Sequence, residues 1–128
     1  MPHRKKIKKS VLVVEDDRGI RDTLQHLLEA EGYTVYLAEH GRDGLDLLRR
    51  VDPPCVVLLD IQMPVMDGLE FLREKNADPT IAAIPVVVLS ATADPKRLTG
   101  AADFIRKPFE IPILLGAVDR HCGSGHGP

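Results

Sequence analysis

The sequence predicts an α/β fold in which five parallel strands form a doubly wound sheet flanked by helices. Short apolar runs alternate along the chain with segments of helical periodicity, as in successive βα units. The runs at residues 11–14, 55–59 and 86–89 are apolar throughout rather than alternating, which is typical of parallel strands covered by helices on both faces. The 128 residues contain no internal repeat and no long linker, so one domain is expected.

Each element follows from a local pattern. The predicted strands lie at residues 11–14, 34–38, 55–59, 86–89 and 104–106. The predicted helices lie at residues 18–31, 42–50, 68–76, 95–99 and from 111 through 118. Gly32 is expected to end the first helix, and Pro112 is expected in the first turn of the last helix. Asp17 is expected to cap the first helix.

The fourth helix is predicted to be short. Only residues 91–101 connect the fourth strand to the fifth, which is at the lower limit for a parallel crossover. Asp94 is a good N-cap, Pro95 suits the first helical position, and Gly100 is a plausible stop. These signals confine the helix to one or two turns.

The composition is that of an ordinary globular domain, with 44% hydrophobic and 28% charged residues. No segment has the apolar length that a membrane span needs, and the N-terminus lacks the apolar region of a signal peptide, so we expect a cytoplasmic protein. The two cysteines do not form a disulfide framework. Cys55 is expected to be a small core residue and Cys122 a free thiol in a reducing compartment.

Charge is distributed unevenly along the chain. Residues 4–9 hold five basic side chains and no acid, and the rest of the chain then has a net charge of −7. We interpret residues 1–9 as a basic flexible tail, residues 10–122 as the domain, and residues 123–128 as a flexible C-terminal end. The tail could be an arm for nucleic acid, but it is short and has no aromatic residues, so a solubilising extension is favoured. We expect no membrane partner and no direct nucleic-acid binding.

Polar side chains follow four of the predicted strands. Glu15 and Asp16 follow the first strand, Asp60 the third, Ser90 the fourth and Lys107 the fifth. The carboxyl ends of parallel strands meet at one edge of a sheet, where ligands bind. Three carboxylates that repel one another favour a bound cation, and an all-oxygen site suits Mg²⁺. A lysine and a hydroxyl suit a phosphoryl group, so the edge is suited to phosphorylation of a carboxylate.

These residues give the chain a resemblance to the receiver domains of two-component response regulators, over about residues 10–121. The matching motifs, in order, are Val13-Val14-Glu15-Asp16-Asp17, Asp60 with Met63-Pro64 and Met66-Asp67-Gly68, Ser90-Ala91, Ala101-Ala102-Asp103-Phe104 and Lys107-Pro108-Phe109. Each motif alone is weak, but five in the right order at strand ends are specific. The resemblance implies a flavodoxin-like sheet with strand order 2-1-3-4-5.

The resemblance also implies a role for each acidic residue. Asp60 would be the nucleophile that accepts the phosphoryl group. Asp16 and Asp60 would bind Mg²⁺ directly, Glu15 through water, and Gln62 through its backbone carbonyl. Glu15 stands where Asp is commoner in the family, and this exchange keeps a carboxylate.

Three further residues receive roles from the resemblance. Lys107 would pair with Asp60 and then with the phosphoryl group, and its bond to Pro108 would be cis. Ser90 would move toward the phosphoryl oxygens, and Phe104 would change rotamer with it. Ser90 replaces the frequent Thr and keeps the hydroxyl, while the interval from Ser90 to Lys107 is shorter than is usual in the family.

The leading hypothesis is a phosphorylation-controlled signalling receiver. A sensor histidine kinase or a histidine phosphotransfer protein would be the donor, and an unknown downstream protein would bind the switched face. Such a domain catalyses only its own phosphorylation and hydrolysis and is not a conventional enzyme. One alternative is an aspartyl-phosphate hydrolase of the haloacid-dehalogenase type, which needs a second Asp where this chain has Gln62. The other is a receiver-like scaffold that is never phosphorylated.

Overall fold

The computed structural model of the protein describes residues 9–61, 68–91 and 100–123. Five parallel strands form one sheet in the order β2-β1-β3-β4-β5. The strands are β1 (Ser10–Val14), β2 (Thr34–Ala38), β3 (Val56–Asp60), β4 (Val86–Ser90) and β5 (Asp103–Arg106). The predicted fold class and strand order are therefore confirmed.

Four helices lie within the described residues. They are α1 (Arg18–Ala30), α2 (Gly41–Arg50), α3 (Gly68–Ala77) and α4 (Ile111–Cys122). The last of these is the helix that the sequence predicted as the fifth. The predicted short helix at residues 95–99 lies outside the described residues, so its length stays a prediction.

The sheet is covered on both faces by helices, because its strands alternate their side chains between two apolar cores. In β1, Leu12 and Val14 belong to one core, whereas Val11 and Val13 belong to the other. The first core is completed from α2 and α3 by Leu45, Leu48, Phe71 and Leu72. The second is completed from α1 and α4 by Leu24, Leu28, Leu114, Ala117 and Val118. Burial of both sheet faces explains why the inner strands β1, β3 and β4 are almost entirely apolar.

Local signals fix the ends of α1 as predicted. The Asp17 carboxylate accepts a hydrogen bond from the backbone N–H of Ile20 at 3.0 Å, which is an N-cap. Gly32, with φ of 94°, follows the C-cap residue Glu31 and turns the chain toward β2. The first helix therefore starts directly after the acidic segment that follows β1.

The two cysteines differ from the sequence prediction. Cys55 and Cys122 are joined in a disulfide, with their Cα atoms 5.0 Å apart, so neither is a free thiol. Cys55 comes immediately before β3 and Cys122 is the last residue of α4. Folding brings them together at the edge of the sheet where β3 begins, although 67 positions separate them in the sequence.

Polar groups also tie the domain together. Lys75 is 2% exposed, and its ammonium donates to the carbonyl oxygen of Ala82 at 2.7 Å and to Asn76 Oδ1 at 3.0 Å. Lys9 accepts at its carbonyl oxygen from the N–H of Thr34 at 2.9 Å.

Among the described residues, no helix combines the length and the apolar character needed to cross a bilayer.

Candidate functional site

Three carboxylates meet at the edge of the sheet where the strands end. Glu15 and Asp16 come directly after β1, and Asp60 is the last residue of the neighbouring strand β3. Val14 pairs with Leu59 in the sheet, which places the residue after each of them side by side. One oxygen from each of the three carboxylates lies within 4.8 Å of the others. Asp16 is exposed, whereas Glu15 and Asp60 are buried.

Glu15 is the most enclosed of these acids, with 1% of its surface exposed. Its Oε2 accepts from the backbone N–H of Asp17 at 3.2 Å. Its Oε1 is buried and has no hydrogen-bond partner among the described residues. Burial, and then the neighbouring Asp60 carboxylate, raise the pKa of Glu15 to about 7. Without a bound cation, the site therefore holds one carboxylic acid that keeps its proton to a higher pH than an ordinary Glu does.

Lys107 is the cation that faces this cluster. Its Nζ lies 3.6 Å from Asp60 Oδ2 and 3.7 Å from Glu15 Oε1. The backbone N–H of Lys107 donates to the Ser90 carbonyl oxygen at 2.9 Å, which extends the pairing of β4 and β5 to this residue. The Lys107–Pro108 peptide bond is cis, as the resemblance implied. The ammonium thus lies between the two buried carboxylates without a short bond to either.

Ser90 and Phe104 lie on the two strands beyond β3. Ser90 ends β4 and is 1% exposed. Phe104 lies in β5 opposite Val88, and it is partly buried against the apolar core. The Arg106 guanidinium lies 5.4 Å from the centre of the Phe104 ring. Of the predicted metal ligands, Gln62 lies outside the described residues.

Sequence reasoning did not single out Arg21, and it named Gly68 only as part of a motif, although both residues shape the site. Arg21 donates through Nη1 to the carbonyl oxygen of Glu15 at 2.9 Å, which holds the acidic segment against the first turn of α1. Gly68 packs so closely on Ile61 that a Cβ added there would lie 2.8 Å from the Ile61 Cα. The spacing of Arg21 from the N-cap could have indicated the first contact. Gly68 stands in the Met66-Asp67-Gly68 motif, but the sequence alone does not show its close packing on Ile61.

The arrangement suits transfer of a group that carries negative charge. Buried Asp60 offers a nucleophilic oxygen, and Lys107 offers a positive charge 3.6 Å away. The three converging carboxylates offer only oxygen donors, which Mg²⁺ prefers. These are the components that phosphoryl transfer needs, since that reaction depends mainly on positioning and charge neutralisation.

Comparison with known proteins gives the same family from sequence and from structure. The family model described as "Response regulator receiver domain" matches residues 11–119. The response regulator MprA of Mycolicibacterium vanbaalenii is 40% identical over 110 residues, which are 82% of this chain and 46% of that protein. The chain thus spans about half the length of the curated relatives it matches.

Two solved structures share the fold along most of their length. One is the signal receiver domain of a signal transduction histidine kinase from Syntrophus aciditrophicus, with a TM-score of 0.81, 30% identity and 94% of each chain covered. The other is the receiver domain of the sensor histidine kinase PA1611 from Pseudomonas aeruginosa, with a magnesium ion coordinated in its active-site cleft. It has a TM-score of 0.83 and 26% identity, and 91% of this chain and 99% of that chain are covered.

Proposed function

Because this chain belongs to the response regulator receiver family, we propose that it accepts a phosphoryl group on Asp60 from a histidine kinase or a histidine phosphotransfer protein. The observation that carries the proposal is the position of Asp60. It ends the central strand β3, is 6% exposed, and lies beside two further carboxylates and the Lys107 ammonium. Asp60 is therefore a nearly buried carboxylate whose Oδ2 lies 3.6 Å from the Lys107 ammonium.

The transfer step forms one bond and breaks one. A carboxylate oxygen of Asp60 bonds to phosphorus as the bond between phosphorus and the donor's imidazole nitrogen breaks. The imidazole leaves with the electron pair of that bond, and the product on Asp60 is an acyl phosphate. Lys107 offsets the negative charge of the incoming group, and the Ser90 hydroxyl serves as a donor to a phosphoryl oxygen.

A divalent cation fits the acidic cluster. Its oxygens converge within 4.8 Å, and the Lys107 ammonium lies 3.6–3.7 Å from the buried carboxylates of Glu15 and Asp60, which is too far for a short charge-assisted hydrogen bond to either. Asp16 and Asp60 would hold Mg²⁺ directly, Glu15 through water, and the backbone carbonyl of Gln62 would complete the set. Bound there, the ion supplies charge neutralisation for the transferring phosphoryl group.

Phosphorylation is proposed to act on the β4 and β5 side of the sheet. Ser90 moves toward the phosphoryl group, and Phe104 follows it into the space between β5 and the core. This shifts a two-state equilibrium of the adjoining surface, which includes the exposed Ile111 and Ile113 at the start of α4. A downstream protein in the cytoplasm would bind one state of that surface.

The alternatives receive less support. A hydrolase of the haloacid-dehalogenase type needs an acid/base carboxylate two positions after the nucleophile, and position 62 is Gln. The family match covers the receiver fold along most of the chain. A scaffold that is never phosphorylated would have no need of two buried carboxylates beside a lysine at the strand ends.

The test is labelling by a small phosphodonor. Incubation with acetyl phosphate and Mg²⁺ should add one phosphoryl group to the intact chain, and Asp60→Asn should abolish the mass gain. Asp46→Asn is the matched control, since it removes an exposed carboxylate on α2, outside the acidic cluster. Equal labelling of Asp60→Asn and of the unaltered chain would refute the proposal.

A further inference from the structure

The disulfide lies at the edge of the sheet opposite the acidic site. Cys55 precedes β3, whose other end is Asp60, and Cys122 ends α4, which begins four residues after Lys107. The bond therefore joins the strand that carries the proposed phosphoacceptor to the helix that follows the proposed phosphate-binding lysine. No feature of phosphoryl transfer requires a covalent link at that place.

Non-covalent contacts also hold the C-terminal end of α4. The Tyr33 hydroxyl donates to Asp119 Oδ1 at 2.5 Å, and Lys9 Nζ donates to the Cys122 carbonyl oxygen at 2.5 Å. Leu114, Ala117 and Val118 bury the apolar face of the same helix. We expect a helix held in this way to stay packed when its disulfide is opened, although its last turn loses one attachment. Both redox forms of the domain are therefore expected to be folded.

The two cysteines differ in exposure. Cys122 is 6% exposed, whereas Cys55 is partly exposed, although its sulfur lies 3.2 Å from the Ser10 carbonyl oxygen. Thiol–disulfide exchange requires that an external sulfur reach one partner in line with the bond. Cys55 is the more exposed residue of the pair and therefore the expected point of attack. The Cα separation of 5.0 Å is within the usual range for disulfides, so closure needs no rearrangement of the backbone.

We propose that Cys55 and Cys122 are a reversible thiol–disulfide pair through which cellular redox state fixes or releases the C-terminal end of α4. Reversibility rests on the proposed cytoplasmic location, where protein disulfides are usually transient and redox-sensing. A small-molecule disulfide such as oxidised glutathione is the oxidant. The Cys55 thiolate attacks it and expels one thiolate, and the Cys122 thiolate then attacks the mixed disulfide and expels the second. The chain loses two electrons and two protons, and the oxidant becomes two thiols.

Oxidation should stabilise the domain and reduce local opening at the C-terminal end of α4. The bond closes a long loop, which restricts the unfolded chain and should raise the melting temperature by roughly 10 °C. Amide hydrogen exchange in the last turn of α4 should be slower in the oxidised form, while exchange in β1 and β3 should stay slow in both forms.

The experiment uses the whole chain in glutathione buffers that range from fully reduced to fully oxidised. After acid quenching and alkylation, the intact mass gives the number of free thiols per chain. This number should change reversibly from two in reduced buffers to none in oxidised buffers. Cys55→Ser and Cys122→Ser should each have a melting temperature that is independent of a non-thiol reductant. If one variant fails to fold, the reduced unaltered chain serves as the comparison.

Three results would overturn the inference. They are a chain that stays reduced under excess oxidised glutathione, cross-linking only between chains, and identical melting temperatures for both redox forms. Labelling of Asp60 is measured separately in each form. Absent labelling in both forms would contradict the proposed phosphorylation and leave the redox result standing.

Discussion

At the scale of single residues, Glu15 controls the electrostatics of the site. It is buried beside Asp60, and its pKa is raised from 4.5 to about 7, first by burial and then by that neighbour. In the unfolded chain the same carboxyl returns to its ordinary pKa. The folded state therefore binds this proton more tightly than the unfolded state does. An ionised Glu15 lowers stability above pH 7, and this effect disappears as the pH falls toward 4.5.

Replacing Glu15 by Gln should therefore stabilise the metal-free domain in a pH-dependent way. We expect the variant to gain on the order of 2–3 kcal/mol in unfolding free energy at pH 8, with little gain at pH 4.5. Urea titrations in the presence of a chelator would measure it. Glu39→Gln is the control, because Glu39 is exposed and lies outside the cluster. A gain that is the same at both pH values would contradict the burial argument.

Asp16 is the exposed member of the acidic cluster and is proposed as a direct metal ligand. Asp16→Ala should weaken Mg²⁺ binding by roughly tenfold or more, since it removes one of few charged oxygen donors. Titration calorimetry measures the change. Asp17→Ser is the matched control, because it deletes the adjacent carboxylate and keeps a good N-cap for α1. Equal affinities for Mg²⁺ in the two variants would argue against Asp16 as a ligand.

At the scale of elements, close packing of α2 on the sheet depends on Gly44. A Cβ at this position would lie 2.9 Å from Val14 Cγ2 and 3.1 Å from Phe71 Cε2. Gly116 is its counterpart in α4, where an added Cβ meets no atom within 4 Å. The two glycines thus differ in the room available for an added Cβ, although both lie within helices.

Replacing Gly44 and Gly116 by Ala should have opposite effects on the stability of the domain. Gly44→Ala should lower stability by about 1–3 kcal/mol because the core is overpacked. Gly116→Ala should raise it by about 0.5–1 kcal/mol, since Ala is the better helix former. Thermal unfolding of both variants gives the comparison. Stabilisation by Gly44→Ala would show that α2 does not approach β1 as closely as described.

The elements show which features a sequence can reveal. The apolar strands and their polar ends were predictable, because parallel pairing places every strand end at one edge. The disulfide was not predictable, since its partners are 67 positions apart and no sequence pattern indicates that they meet. The burial of Lys75 was not predictable either, because a lysine is nearly always exposed and its acceptor, the Ala82 carbonyl, is a backbone group.

At the scale of the whole molecule, the described residues that form the two cores and the sheet extend from Ser10 to Cys122. Lys9 adds contacts to Thr34 and to Cys122. Because the sequence predicts flexible ends, we predict that a fragment of residues 9–123 has the same melting temperature as the full chain, within about 2 °C, and is labelled equally by acetyl phosphate. A fragment that begins at residue 13 should not fold, because it lacks three of the five residues of β1.

The central claim is that Asp60 becomes an acyl phosphate. The most direct measurement is to treat the chain with acetyl phosphate and Mg²⁺, reduce it with borohydride, and map the peptides by mass spectrometry. Reduction converts an aspartyl phosphate to homoserine, so homoserine should appear at position 60 and at no other aspartate. Homoserine at another position, or unmodified Asp60 in a sample that carries the label, would contradict the claim.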